Sequence, residues 1–165
     1  MRDVVYTDCL ITHQDSKVLK NYILDESQEF HTGIDLEADM VYTPCFGVVI
    51  QSCLVDDHQS VIVQYSGNIS VRFTHLQDSY VRVGELVEFD QLIGKADKYV
   101  HFEYLTSEET EPGFRVYVAQ GLALFKHDPR LILDKNIIFD HYVAKLQNVE
   151  VFGETYDELS NNRGV

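Results

Sequence analysis

From residue 30 to about residue 125 the chain alternates short runs of β-forming residues with turn residues. "FGVVIQSCLV" (46–55) and "SVIVQY" (60–65) flank the turn-rich "DDHQ", and "SVIVQY" and "ISVRFTHL" flank Ser66-Gly67-Asn68, a hairpin signal. "ELVEF", "KYVHFEYL" and "GFRVYVAQGLALF" follow, each bounded by Gly, Asp or Pro. Strands at this spacing predict an all-β domain built on an antiparallel sheet or sandwich. Two stretches depart from the pattern. In "DSKVLKNYILDES" the apolar Val18, Leu19, Tyr22 and Ile23 fall at helical spacing behind Asp15, which predicts a short helix. Beyond Asp128-Pro129, residues Ile138, Phe139, Tyr142, Val143 and Leu146 fit one face of a short amphipathic helix. The chain therefore divides into a lead-in segment (1–27), a β domain (28–133) and a helical or extended appendage (134–165). The appendage either caps its own domain or docks on another protein.

Composition narrows the partners. With 165 residues, 45% of them hydrophobic, the chain can bury one sizeable core. A net charge of −14 argues against a nucleic-acid backbone or an anionic membrane surface as partner. The N-terminal "MRDVVYTDCLITHQDSK" has no apolar run of signal-peptide length, and no later run is long enough to span a bilayer. The expectation is a protein made and released in the cytoplasm without a signal peptide and without membrane insertion. Cys9, Cys45 and Cys53 form no metal-ligand pattern, and an odd count suits buried reduced thiols, with a Cys45–Cys53 bridge as the alternative.

Three segments carry candidate chemistry. In "EFHTGIDL" (29–36), His31 and Asp35 lie four apart around Gly33, a spacing that puts both on one face of an extended strand. They are either a ligand pair or an exposed His beside a turn Asp. In "KYVHFEYL", Tyr99, His101 and Glu103 alternate with apolar Val100, Phe102 and Tyr104, as in a strand that lines a cleft over a core. In "ISVRFTHL", His75 shares parity with Ile69, Val71 and Phe73. Simple alternation turns it into the core, unless it ends a strand where alternation lapses. Two His and one Asp suit a tetrahedral zinc shell with one open position, which would activate water for amide hydrolysis. A further His could take the water's proton or stabilise an oxyanion.

The order "FHTGIDL", "VYTPCFGVVI", "VIVQYSGNISVRFTHL", "VRVGELVEFDQLIG", "VHFEY", "DPRLIL" resembles the lysostaphin-type (LytM-like) zinc endopeptidases over about residues 28–133. The resemblance implies an antiparallel β fold with a substrate groove and cleavage of peptide cross-links in bacterial cell wall. It implies that His31 and Asp35 are the HxxxD zinc ligands and His101 the third, matching the second His of HxH. His75 matches the catalytic His of YxHL, with Phe73 in place of the Tyr. Gly33, Gly47, Gly84 and Gly94 match turn positions. Three departures stand out. Tyr99 replaces the first His of HxH, Tyr65 stands where a His is usual, and Asp90 replaces a Gly before Gln91. A phenol can donate a hydrogen bond to an oxyanion but is a poor base at neutral pH. Zinc binding would survive its presence, while the rate would fall by on the order of a hundredfold or more.

Two functions follow as expectations. One is a zinc-dependent peptidoglycan endopeptidase with His75 and Tyr99 as catalytic groups, carried by a phage tail as part of the virion. In that setting residues 134–165 dock on other tail proteins. The other is an impaired endopeptidase-like domain that serves as a virion structural module or binds wall peptides or a partner.

Overall fold

The alternation is realised as one antiparallel sheet. The computed structural model describes residues 4–22, 33–66, 69–106, 114–119, 122–127 and 129–133. Its strands are β1 (Val5–Tyr6), β2 (Ser16–Lys20), β3 (Ile34–Glu37), β4 (Met40–Tyr42), β5 (Gly47–Val55), β6 (His58–Ser66), β7 (Ile69–Ser79), β8 (Leu86–Val87), β9 (Leu92–Thr106), β10 (Phe114–Ala119) and β11 (Leu122–His127). A 3₁₀ turn, Pro129–Ile132, is the one helical element among the described residues. The main path through the sheet runs β1-β2-β3-β9-β7-β6-β5-β8. β9 is the hub: it pairs with β3, β4, β7 and β11 along its length.

Packing explains why β9 takes this place. Its apolar face, Val100, Phe102 and Tyr104, is fully buried, as the alternation predicts. Those side chains join Ile34 and Leu36 of β3, Val71 and Phe73 of β7, and Val61 and Val63 of β6 in one core cluster. Phe73 and Phe102 meet with ring centroids 5.2 Å apart. Burial of each such ring is worth about 1.5–3 kcal/mol. No helix among the described residues is long and apolar enough to cross a membrane.

Within the stretch read as a helix behind Asp15, Ser16–Lys20 is strand β2, and Ile23 lies outside the described residues. Val18 packs against the core and pairs with Leu36, while Lys17 pairs with Val5. Long-range pairing to β3 overrides the short helical spacing, and Asp15 Oδ1 accepts a hydrogen bond from the Asp8 amide instead of capping a helix. Residues 1–27 thus contribute two strands to the sheet, and Cys9 and Ile11 lie in its core. The cysteines are all free; Cys9 and Cys45 are buried, but Cys53 is exposed on the outer end of β5. The "DDHQ" turn is tighter than its composition suggests. Val55 pairs with His58, so the loop is Asp56-Asp57 alone, with φ of 50° and 66° as a two-residue hairpin turn requires. Gly67 and Asn68 lie outside the described residues, but the strands they join pair from Ser66↔Ile69 onward. The stripe from Ile138 to Leu146 is likewise outside them.

Candidate active site

The polar face of β9 gathers most of the residues singled out in the sequence. Asp35 on β3 is the direct neighbour of His101 on β9, and Thr74 on β7 is its neighbour on the other side. The His101 ring is held at both nitrogens: Nδ1 lies 2.6 Å from Asp35 Oδ1 and Nε2 lies 2.7 Å from Glu103 Oε1. Glu103 stands two residues on, so it shares the face of His101, and its second oxygen lies 3.6 Å from Arg72 Nη1. Its carboxylate is buried, with 3% of the side chain exposed, so a compensating cation is required, and Arg72 and His101 supply it. Burial alone would lower the His101 pKa, but hydrogen bonds to Asp35 and Glu103 and their charges hold it above the usual histidine range.

Gly33 explains how closely the HxxxD segment approaches. A Cβ built there would lie 2.6 Å from Cε1 and Nε2 of His101 and 2.7 Å from the Phe102 carbonyl oxygen. Only a residue without a side chain lets this backbone lie against the imidazole. His31 itself falls outside the described residues.

On the β7 side the sheet is irregular. Thr74 pairs with His101 and Leu76 with Ala96, so His75 faces four β9 residues, Asp97 to Val100. The β6–β7 ladder also shifts here, with Thr74 and His75 together opposite Ser60. His75 takes φ 63°, a left-handed conformation that costs a non-glycine residue roughly 1–2 kcal/mol. The bulge is why alternation fails: His75 leaves the parity of Val71 and Phe73, turns from the core and becomes half-exposed, in the middle of β7 rather than at its end. Its Nδ1 lies 3.1 Å from Thr74 Oγ1. Burial and the nearby His101 and His58 rings lower its pKa, so at neutral pH it is a free base.

Tyr99 stands beside His75, ring centroids 5.2 Å apart, and His101 lies 5.9 Å from His75 in an edge arrangement. Burial and the Asp35 carboxylate raise the Tyr99 pKa, which keeps the phenol protonated and able only to donate. His75 and Tyr99 line a cleft of about 300 Å³ together with His58, Leu76 and Lys98.

Sequence reasoning did not assign roles to His58, Glu103 or Arg72. The signal for Glu103 was its parity with His101. For Arg72 it was the pairing of β7 with β9, which no single strand reveals. Of the departures, Asp90 adopts φ 70°, the region that suits the glycine it replaces. Its Oδ1 lies 2.5 Å from His13 Nε2, tying the N-terminal segment to this loop. Tyr65 packs at the core edge against Phe46, with centroids 5.1 Å apart.

Among the described residues no group of three His, Cys, Asp or Glu could by itself hold a metal ion. Two donors of a shell are nonetheless in place. Glu103 lies against Nε2 of His101 and leaves Nδ1 to face an Asp35 oxygen, so these are the two atoms that a shared cation would take as ligands. The donor set suits zinc as far as these two ligands go.

The fold is that of a class of β-sheet peptidases. The chain is similar to the catalytic domain of the antimicrobial peptidase lysostaphin from Staphylococcus simulans, at 17% identity over 69% of this chain and 89% of that one, TM-score 0.51. It is also similar to the solution structure of lysostaphin, at 16% identity over 69% of this chain and 48% of that one, TM-score 0.54. A chain of the SpoIIIAH–SpoIIQ complex matches at 18% identity over 79% of this chain and all of that one, TM-score 0.55. The chain spans less than half of the length of lysostaphin and 33% of a zinc-containing peptidase from Vibrio cholerae. No protein-family model matches the chain, and the comparison with curated proteins finds no match.

Proposed function

We propose that the chain is a zinc-dependent endopeptidase domain acting on peptidoglycan peptides, with His31, Asp35 and His101 as metal ligands and His75 and Tyr99 as catalytic groups. The observation that carries this reading is the His101 ring set between Asp35 and Glu103, one nitrogen anchored and the other turned to a carboxylate. When bound, the metal would polarise the scissile carbonyl and lower the pKa of water to about 7. The protein groups do the rest. His75, neutral at pH 7, takes a proton from the attacking water. Tyr99 donates a hydrogen bond to the oxygen on which negative charge develops. Glu103 and Arg72 hold the His101 ring in one orientation.

The first test is metal content of the purified protein beside His31→Ala, paired with amine release from a panel of peptidoglycans. The expected result is one zinc per chain, absent from the variant, with amine release that falls at least a thousandfold, roughly the 4 kcal/mol that a Lewis acid supplies. A protein that neither binds zinc nor releases amines sinks the reading.

A second reading is favoured by Tyr99, which leaves the cleft one family histidine short, and by the similarity to a chain of the SpoIIIAH–SpoIIQ complex. In it the sheet binds wall peptide or a partner protein without turnover. Zinc without amine release would select it. Delivery by a phage tail, with residues 134–165 docking on other virion proteins, extends either reading; its support is the apolar stripe Ile138 to Leu146 in the sequence. Release of these contacts in a tail-assembly assay on removal of residues 134–165 is the outcome that extension requires.

A further inference from the structure

His58 has no counterpart among the residues that the motifs assign, yet it lies in the same cleft. Its ring centroid is 4.9 Å from that of His75, the planes inclined by 38°. Both rings line the cleft with Tyr99. The backbone leaves His58 little choice of position. The two-residue Asp56-Asp57 turn fixes it opposite Val55 as the first residue of β6, and its neighbour Gln59 pairs with Leu76, next to the His75 bulge. Its ring nitrogens carry no hydrogen bond to any described residue, and the ring lines the cleft, where a ligand can reach it.

Amide hydrolysis needs two proton movements, one off the attacking water and one onto the departing nitrogen. A phenol at position 99 can stabilise charge but cannot cycle a proton at neutral pH. One imidazole, His75, is then asked to do both. We propose that His58 is a second catalytic residue of this cleft, the imidazole that hands a proton to the departing amine in the place that Tyr99 vacates. The inference rests on the endopeptidase reading above. Water adds to the carbonyl carbon as His75 takes one of its protons. The proton on His75 passes to His58 across the short gap between the rings. The C–N bond then breaks as the amine nitrogen takes that proton from His58, and both imidazoles end neutral, as they began. Net, one water proton has moved to the amine and the rest of the water to the new carboxyl group.

The experiment is amine release from purified peptidoglycan by wild type, His58→Ala, His58→Phe, Tyr99→His and the double variant His58→Ala/Tyr99→His, each with its zinc content. The expected loss for His58→Ala is about a hundredfold in kcat, with KM and zinc unchanged. His58→Phe keeps the ring contact with His75 and should lose as much, because packing is not the role. Imidazole added to solution should restore His58→Ala and leave His58→Phe inactive. In the Tyr99→His background, removing His58 should cost less than about threefold, since a histidine again stands at 99. An active wild type with His58→Ala or His58→Phe within threefold of it overturns the proposal. So does an inactive wild type whose Tyr99→His variant is active, which would leave the endopeptidase scaffold standing and His58 without the role. If neither releases amines, the endopeptidase reading fails and this inference falls with it.

Discussion

The Asp35–His101–Glu103–Arg72 row crosses β3, β9 and β7 in unbroken register, whereas His58, His75 and Tyr99 stand where that register is broken. The first group is largely buried and paired: Asp35 and Arg72 reach in from the strands on either side to His101 and Glu103, which meet each other along β9. The second is half open to a cleft, and His75 is held in a left-handed conformation to reach it. A ligand shell needs fixed distances, which a regular ladder supplies. A proton carrier needs access to substrate, which requires the chain to leave the ladder at the cost of strain.

The sharpest test of that contrast is His75→Asn. It should lower kcat by about a hundredfold or more, yet raise the unfolding free energy by about 1 kcal/mol in urea titration, because Asn tolerates φ 63° better. A loss of stability would mean that His75 is structural and the contrast false. Next in size, Glu103→Gln should weaken zinc by about 10- to 100-fold in a chelator competition, since the negative charge beside Nε2 is lost while the side chain's shape remains. Unchanged affinity would place the anchor elsewhere. Gly33→Ala should cost about 1–3 kcal/mol by chemical denaturation, as its methyl meets the His101 ring and the Phe102 carbonyl. The smallest effect is on pH. In metal-free protein the folded pKa of His101 is raised, so its stabilising contribution is complete below about pH 6.5 and fades as pH rises through the folded value. Melting temperature should therefore fall by a few degrees over that rise. Zinc-loaded protein should show the reverse, because the metal competes with the same proton.

The regular row was more legible in the sequence than the irregular cleft. Alternation in "KYVHFEYL" placed Val100, Phe102 and Tyr104 in the core, and parity set Tyr99, His101 and Glu103 on the other face. That alternation is a local property of the strand, and it survives into the fold. His75 defied parity because a bulge depends on how three strands meet, and its own residues do not announce it. His58 was hidden in "DDHQ", whose composition reads as loop although only Asp56 and Asp57 form the turn. Strand β2 was misread for the converse reason: five residues satisfy helical and extended spacing equally well, and the decision lies with Leu36 and Asp35 across the ladder.

The pairing of Asp35 with His101 spans 66 residues, and β9 must meet strands from both ends of the domain before the sheet is complete. Contacts so distant along the chain make for slow folding, on a scale of milliseconds to seconds. The Asp35–His101 pair cannot nucleate the chain; it closes when almost everything else has been placed. A nascent or partly unfolded molecule therefore lacks the assembled pair, and on the endopeptidase reading its hydrolytic centre would be switched on by the completion of folding itself.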